Sequence, residues 1–209
     1  YPLIGVERVA EIFAYLDDAE PYLKELPIES AAKIVSEMDS DDAVDVLEEM
    51  DATTKHKIVG MLDKEASDDV RLLFSYDDDE IGSRMTTNFI MIHNHLTIRQ
   101  AMRELVEQAG ENDNISTIYV IDEEDKFYGA IDLKDLIIAR EYTDLEDIIS
   151  HSYPYVMDHE KVSDCIDKIR DYAEDSIPVL QENGTIAGII TSQDIVEAVD
   201  DEMGDDYAK

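Results

Sequence analysis

Apolar positions recur every twelve residues between 26 and 74. Four units align: Leu26-Pro27 to Val35, Met38-Asp39 to Leu47, Met50-Asp51 to Val59, and Leu62-Asp63 to Arg71. Ile34, Val46, Ile58 and Val70 form one column; Met38, Met50, Leu62 and Phe74 form another. Asp39, Asp51 and Asp63 stand where a helix N-cap or first-turn acid is favoured, because carboxylate oxygens accept first-turn N–H groups and sit against the positive end of the helix. Helices of two to three turns are marginal alone. The units are therefore expected to stack as a small right-angled superhelix that buries the shared columns. Residues 7–24, with Val9, Ile12, Phe13 and Leu16, predict a leading amphipathic helix.

Asp77 to Gly82 breaks the period and reads as a linker. Beyond it, helical and strand textures alternate. Thr97 opens a helix with Ile98, Ala101, Met102, Leu105 and Val106 on one face. Residues 117–122 and 127–131 are β-rich around the turn Asp122-Glu123-Glu124-Asp125, and a helix with Leu133, Leu136 and Ile137 follows. The order recurs about 59 residues later. Val162, Cys165, Ile166 and Ile169 mark a helix face, and Ile177–Leu180 and Ile186–Ile190 flank the hairpin signal Glu182-Asn183-Gly184. A final helix is expected from about Ser192. Gly129 aligns with Gly188, and Asp135 with Asp194.

Charge changes the picture. Fifty-two Asp and Glu against 17 Lys and Arg give a formal net charge of −35 over 209 residues, with clusters at 39–45, 77–80 and 200–206. Folding concentrates that charge and raises self-repulsion. Hard multivalent cations held by carboxylate oxygens offset it. Nucleic acid and anionic membrane surfaces are disfavoured as partners. No run of 18 apolar residues is present to span a bilayer. Cys165 is the single cysteine, which excludes an internal disulfide and fits a reducing compartment. The start at Tyr1-Pro2, without Met, suggests a fragment. His93 and His95 are alternate residues of an expected strand, but no third ligand is spaced to complete a zinc site. Neither a nucleophile motif nor a Gly-rich phosphate loop is evident, so no enzyme activity is expected.

The duplicated stretches Tyr119-Val120-Ile121-Asp122 … Gly129–Asp135 and Ile177–Leu180 … Gly188–Asp194 resemble a tandem CBS pair. With the twelve-residue helical repeat before them and Gly82-Ser83-Arg84-Met85-Thr86 leading in, the whole chain resembles the cytosolic portion of the MgtE magnesium channel/transporter family. The resemblance implies an all-α superhelical N domain of short stacked helices followed by an α/β tandem CBS pair. It divides the chain into a helical N domain at 1–80, CBS domains at 81–146 and 147–198, and the start of a connecting plug helix at 199–209. It further implies a homodimer through the CBS domains on the cytoplasmic face of the membrane. The module's own transmembrane pore domain would lie outside this chain.

In that family, Mg²⁺ holds the N domain against the CBS domains in a compact state that closes the pore. Asp41 and Asp45, four apart on one predicted helix, match its N-domain ligands. Asp194, Glu197, Glu202 and Asp205 match further metal positions, with Asp206 an additional neighbour. Ala173, Lys161 and Ser163 stand where the family carries acids; Glu174, Asp171 and Asp164 are the nearest carboxylates. The alternative is an adenine-nucleotide (ATP) regulatory module. CBS sites often read Gly-x-x-Ser/Thr-x-x-Asp; the second half matches through Gly188, Thr191 and Asp194. The first half has Asp132 in place of the hydroxyl and keeps Asp135 for a ribose. Tyr119 and Asp135 are the expected nucleotide-site residues.

Overall fold

The computed structural model describes residues 5–14, 16, 19–110, 112–165 and 174–194. The chain divides into two compact units, Tyr1–Asp77 and Asp78–Lys209.

The first unit is built of helices α1 (Val6–Ala14), α2 (Glu20–Lys24), α3 (Ile28–Ser36), α4 (Ser40–Glu48), α5 (Ala52–Val59) and α6 (Lys64–Leu73). α3 to α6 begin at twelve-residue intervals, as the pattern predicts. Asp51 accepts from the N–H groups of Thr53 and Thr54, each at 3.1 Å, and Asp63 from that of Ala66 at 2.9 Å. These bonds satisfy first-turn donors that the helix itself leaves unpaired. Alternate helices pack together, α1 on α3, α3 on α5 and α4 on α6. The column Ile34, Val46, Ile58 and Val70 is fully buried between them. The second column is not uniform: Met50 is buried, while Met38, Leu62 and Phe74 are half-buried. Lys55 Nζ lies 3.8 Å from the centroid of the Phe74 ring, a cation on its aromatic face.

The leading helix expected over 7–24 is two helices. Pro21 sits in the first turn of α2. Without an N–H, and with a ring that clashes with a preceding turn, proline opens a helix but does not continue one. α1 buries Val9 and Ala10, whereas Ile12 is 52% exposed and Leu16 is also exposed.

The second unit contains two three-stranded sheets with the same internal order. β1 (Ile90–His93) runs parallel to β2 (Thr117–Ile121), which pairs antiparallel with β3 (Phe127–Asp132). β4 (Val156–Met157), β5 (Ser176–Leu180) and β6 (Ile186–Thr191) repeat the scheme. Val120 opposes Gly129, Val179 opposes Gly188, and the register of each hairpin shifts one residue further on. Asp125 (φ 59°) and Gly184 (φ 88°) occupy the left-handed region at equivalent turn positions. Asn, Asp and Gly tolerate that conformation best. Every residue of β2 is buried. Ile118 and Val120 join Ile90, Ala101, Leu105 and Leu136 in one core, while Tyr119 faces a second core with Ala130 and Ile189. Covered on both faces, the strand reads as a continuous apolar run.

α7 (Ile98–Gln108) opens with a capping box: Gln100 N–H donates to Thr97 Oγ1 and Thr97 N–H to Gln100 Oε1. It packs on β1 and on α8 (Leu133–Ile138). Ile98, Ala101 and Leu105 are buried as expected, but Val106 is 67% exposed, and on α8 Ile137 is 60% and Ile138 65% exposed. The buried face is narrower than the apolar pattern, so these side chains project beyond it.

The two aligned glycines have one purpose. A Cβ on Gly129 would lie 2.6 Å from Ile149 Cγ2 and 2.7 Å from the Ser150 carbonyl oxygen; on Gly188 it would lie 2.7 Å from Met85 Sδ and from the Thr86 oxygen. Their absence lets a neighbouring segment reach the outer edge of each hairpin. Ala130 and Ser150 exchange backbone bonds of 3.1 and 2.8 Å, as Thr86 and Ile189 do at 2.9 Å each.

The expected linker is bound at its second half. Ile81 N–H donates to Glu160 O and Gly82 N–H to Asp158 O, both at 2.8 Å, and Val162 N–H donates to Asp79 O at 2.9 Å. Lys161 Nζ reaches Asp79 Oδ1 at 2.5 Å, and His159 Nδ1 lies 3.0 Å from Glu80 Oε1. Polar backbone at 79–82 is thereby paired as the 3-10 turn Ile81–Arg84 opens. Ile166 and Ile169, and the connecting helix expected at 199–209, lie outside the described residues.

Candidate functional site

The duplicated architecture leaves a cleft of about 290 Å³ in the second unit. Thr117 from the start of β2, Ala130 and Asp132 from the end of β3, and Asp135 from the first turn of α8 form one side. Ile148, Ser150 and Tyr153 form another, brought there by the Ala130–Ser150 pairing that Gly129 permits. Glu174 and Asp175 complete it.

Several of these groups are fixed. Tyr153 Oη donates to the Ser176 carbonyl at 2.8 Å and lies 3.5 Å from Thr117 Oγ1. Burial raises the pKa of its phenol, and the Glu174 and Asp175 carboxylates add to the rise because a phenolate beside them would be repelled. Asp132 caps α8, accepting from the Lys134 N–H at 2.7 Å. Asp135 is exposed at the cleft wall. Four carboxylates therefore line the cleft, and among the described residues no Lys, Arg or His joins them.

Tyr119, expected at a nucleotide site, is not among the described residues that line this cleft. It is completely enclosed, with its hydroxyl 2.6 Å from Ser176 Oγ and its ring edge-on to Phe89 and Tyr153. Burial drives its phenol pKa far upward. Its polar tip ties the two halves of the unit together.

Asp41 and Asp45 lie one turn apart on α4, Asp41 half-buried and Asp45 exposed. Asp194 is half-buried and accepts the Thr191 N–H at 2.7 Å, a local turn that orients its carboxylate. Glu197, Glu202, Asp205 and Asp206 lie outside the described residues. Among the described residues no group of three or more His, Cys, Asp or Glu is placed to hold a metal ion. β1 ends at His93 and His95 follows in a turn, so the two do not share a strand face; their ring centroids are nonetheless 5.3 Å apart.

The order of the two units and the duplicated sheets have counterparts among known proteins. The family model for the MgtE intracellular N domain matches residues 1–79, and that for the CBS domain matches residues 79–142 and 145–201. The chain belongs to the MgtE family. A crystal structure of the soluble part of a magnesium transporter superposes on it with a TM-score of 0.89 at 32% identity, covering 95% of this chain and 79% of that one. The cytosolic domain of the Mg²⁺ channel MgtE, solved in complex with ATP, gives 0.85 at 28% identity, covering 93% of this chain and 81% of the other. The magnesium transporter MgtE of Enterococcus faecalis is 34% identical over 144 residues, 69% of this chain and 32% of that protein. That of Bacillus subtilis is 31% identical over 182 residues, 86% of this chain and 40% of its own length. This MgtE-family chain thus spans about a third of the length of the curated relatives it matches. No described helix is long and apolar enough to cross a membrane.

Sequence reasoning placed Asp135 near a ligand but missed Thr117, Ser150, Tyr153 and Asp175 as cleft walls, and weighed Glu174 only as a metal acid. Their one advance signal is the 59-residue duplication, which sets Ser176 beside Thr117 in equivalent strands.

Proposed function

We propose that the chain is the cytoplasmic-side Mg²⁺-sensing regulatory module of a magnesium channel/transporter, joined in the full protein to a transmembrane pore. The observation that carries the reading is the superposition over 95% of the chain on the soluble part of a magnesium transporter. Mg²⁺ bound by Asp41 and Asp45 on the N domain and by Asp194, Glu197, Glu202, Asp205 and Asp206 on the CBS and connecting segments would draw acidic surfaces together and favour a closed state. The donor chemistry fits: Mg²⁺ takes hard oxygen ligands, keeps several waters, and is commonly held by one or two carboxylates. A pair one turn apart on α4 supplies that much. Two carboxylates about 6 Å apart repel by roughly 3 kcal/mol at an effective dielectric of 20, and a dication between them reverses the sign. Only ions that bridge segments shift the population, because only they bind one arrangement better than the other.

The CBS domains are the natural dimer surface, since α7 and α8 pack together and expose Val106, Ile137 and Ile138. Small-angle scattering with and without millimolar Mg²⁺ tests both points. The expected result is a dimer mass and a smaller radius of gyration with Mg²⁺, lost in Asp41→Asn/Asp45→Asn. An unchanged radius, or equal compaction by monovalent salt at matched ionic strength, refutes the sensor.

A second reading, adenine-nucleotide binding, is favoured by the relative solved with ATP and by Asp135 at the wall of a nucleoside-sized cleft.

A further inference from the structure

β1 stands at the end of the order β1-β2-β3, so one of its sides faces away from β2. On that side the Met91 N–H donates to Gln108 Oε1 at 3.0 Å, and Gln108 Nε2 donates to the Met91 carbonyl at 2.8 Å. One planar amide thus meets both outward groups of one residue, as a neighbouring strand would. We infer that Gln108 is a strand mimic that closes this edge against pairing with the same edge of a second copy of the chain. The inference is independent of Mg²⁺ bridging and of nucleotide binding.

The strand needs such a closure. An edge offers N–H and C=O groups as a template for another strand, and folded chains blunt it with Lys, Pro or a bulge. Phe89-Ile90-Met91-Ile92-His93 has neither Lys nor Pro, and its register with β2 runs without a shift. Aromatic and branched apolar residues without charge or Pro are the composition that pairs most readily between chains. Residues 85–98 carry no Asp, Glu, Lys or Arg, the longest such run in a chain of which 33% is charged. The net charge of −35 keeps copies apart elsewhere. No residue of β1 contributes to that repulsion, and Met91 is 37% exposed. A second copy is the matching occupant, because two identical edges related by a two-fold axis offer each other the same donors and acceptors.

The residue type fits the task. A carboxamide holds a donor and an acceptor in one plane, whereas a carboxylate at 108 would set a second acceptor against the Met91 carbonyl. Gln108 is the last residue of α7, and Asn112 Nδ2 donates to its carbonyl at 3.0 Å, which steadies the helix end. The same chemistry continues along the chain before β1. The Asp113 N–H donates to Asn88 Oδ1 at 2.8 Å and Asn114 Nδ2 to the Asn88 carbonyl at 2.9 Å. Four of the nine Asn and Gln of this acid-rich chain gather here, where donors are required and acids cannot serve.

Two measurements on the whole chain test the closure. In amide hydrogen exchange followed by nuclear magnetic resonance at low concentration, the Met91 amide of the parent is protected. In Gln108→Met, which keeps the side-chain length and the helix propensity, it exchanges roughly five- to tenfold faster, the factor one net hydrogen bond is worth. Amides of β2 keep their rates. In sedimentation velocity at rising concentration, Gln108→Met with native near-ultraviolet dichroism forms species larger than those of the parent. Gln108→Met/Met91→Lys returns to the parent distribution, because an edge lysine resists pairing. A parent Met91 amide that exchanges as freely as an exposed loop overturns the closure without any variant. So does a Gln108→Met chain that sediments as the parent does, or one whose larger species persist beside Met91→Lys.

Discussion

Replacing Gly129 by alanine tests the geometry that forms the cleft. The new methyl would sit 2.6 Å from Ile149 Cγ2 and 2.7 Å from the Ser150 carbonyl oxygen. Ile149 could change rotamer, but the carbonyl belongs to the backbone pair that joins Ala130 to Ser150 at 3.1 and 2.8 Å. Relief therefore requires the 148–153 segment to move outward. Overpacking of this kind costs about 1–3 kcal/mol, and loss of one paired backbone bond adds about 1 kcal/mol. The expected destabilisation is about 2–4 kcal/mol, with weakened nucleoside binding because Ile148, Ser150 and Tyr153 leave their places. Urea unfolding followed by near-ultraviolet dichroism of the tyrosines measures it. Gly110→Ala is the control: its nearest neighbour is the Glu107 oxygen at 3.7 Å. Its change should be small or stabilising, within about 1 kcal/mol. A Gly129→Ala protein within about 0.5 kcal/mol of the parent refutes the close-approach account.

Two further outcomes follow from buried and clasped groups. Tyr119→Phe and Ser176→Ala should each cost about 1–3 kcal/mol, because each orphans the other's hydroxyl in the core; the double variant should cost less than their sum, and simple additivity in urea denaturation contradicts the pairing. His159 should titrate above 6.5, chiefly because of its hydrogen bond to Glu80, with the nearby Asp158, Glu80 and Glu182 charges adding and partial burial opposing. Its stabilising effect is then complete below 6.5 and fades as pH rises through the elevated value. Nuclear magnetic resonance of the imidazole in Glu80→Gln should return the midpoint toward 6.5; no movement rules out the clasp.

Local rules carried much of the fold. The helix starts of α3 to α6, the two hairpin turns and the 59-residue offset were all legible, because the repeat period, the Asp51 and Asp63 caps and the left-handed turn positions act through neighbours in sequence. What failed depended on partners far along the chain. Val106 and Ile137 carry the right periodicity but lie outside the packed face, and periodicity does not say how wide that face is. Tyr119 belongs to a matched motif yet points to the opposite side of β2 from Ile118 and Val120, into a core closed by Phe89 and Tyr153. The cleft draws on residues from 117 to 175, a grouping set by tertiary pairing and invisible to spacing. Pro21 was the one local signal passed over, and it divides the leading helix.

The helical stack of the first unit also constrains how its length can vary. Each helix turns 100° per residue, so a single insertion inside one of these short helices would swing the residues after it out of phase with their own first turn. Placed early in α6, it would carry Asp69 into the buried place of Val70. Removing or adding a whole helix-and-turn unit of twelve residues instead leaves the phase within every remaining helix unchanged. Such units are therefore exchangeable as wholes, and length variation in this part of the molecule should come in dozens.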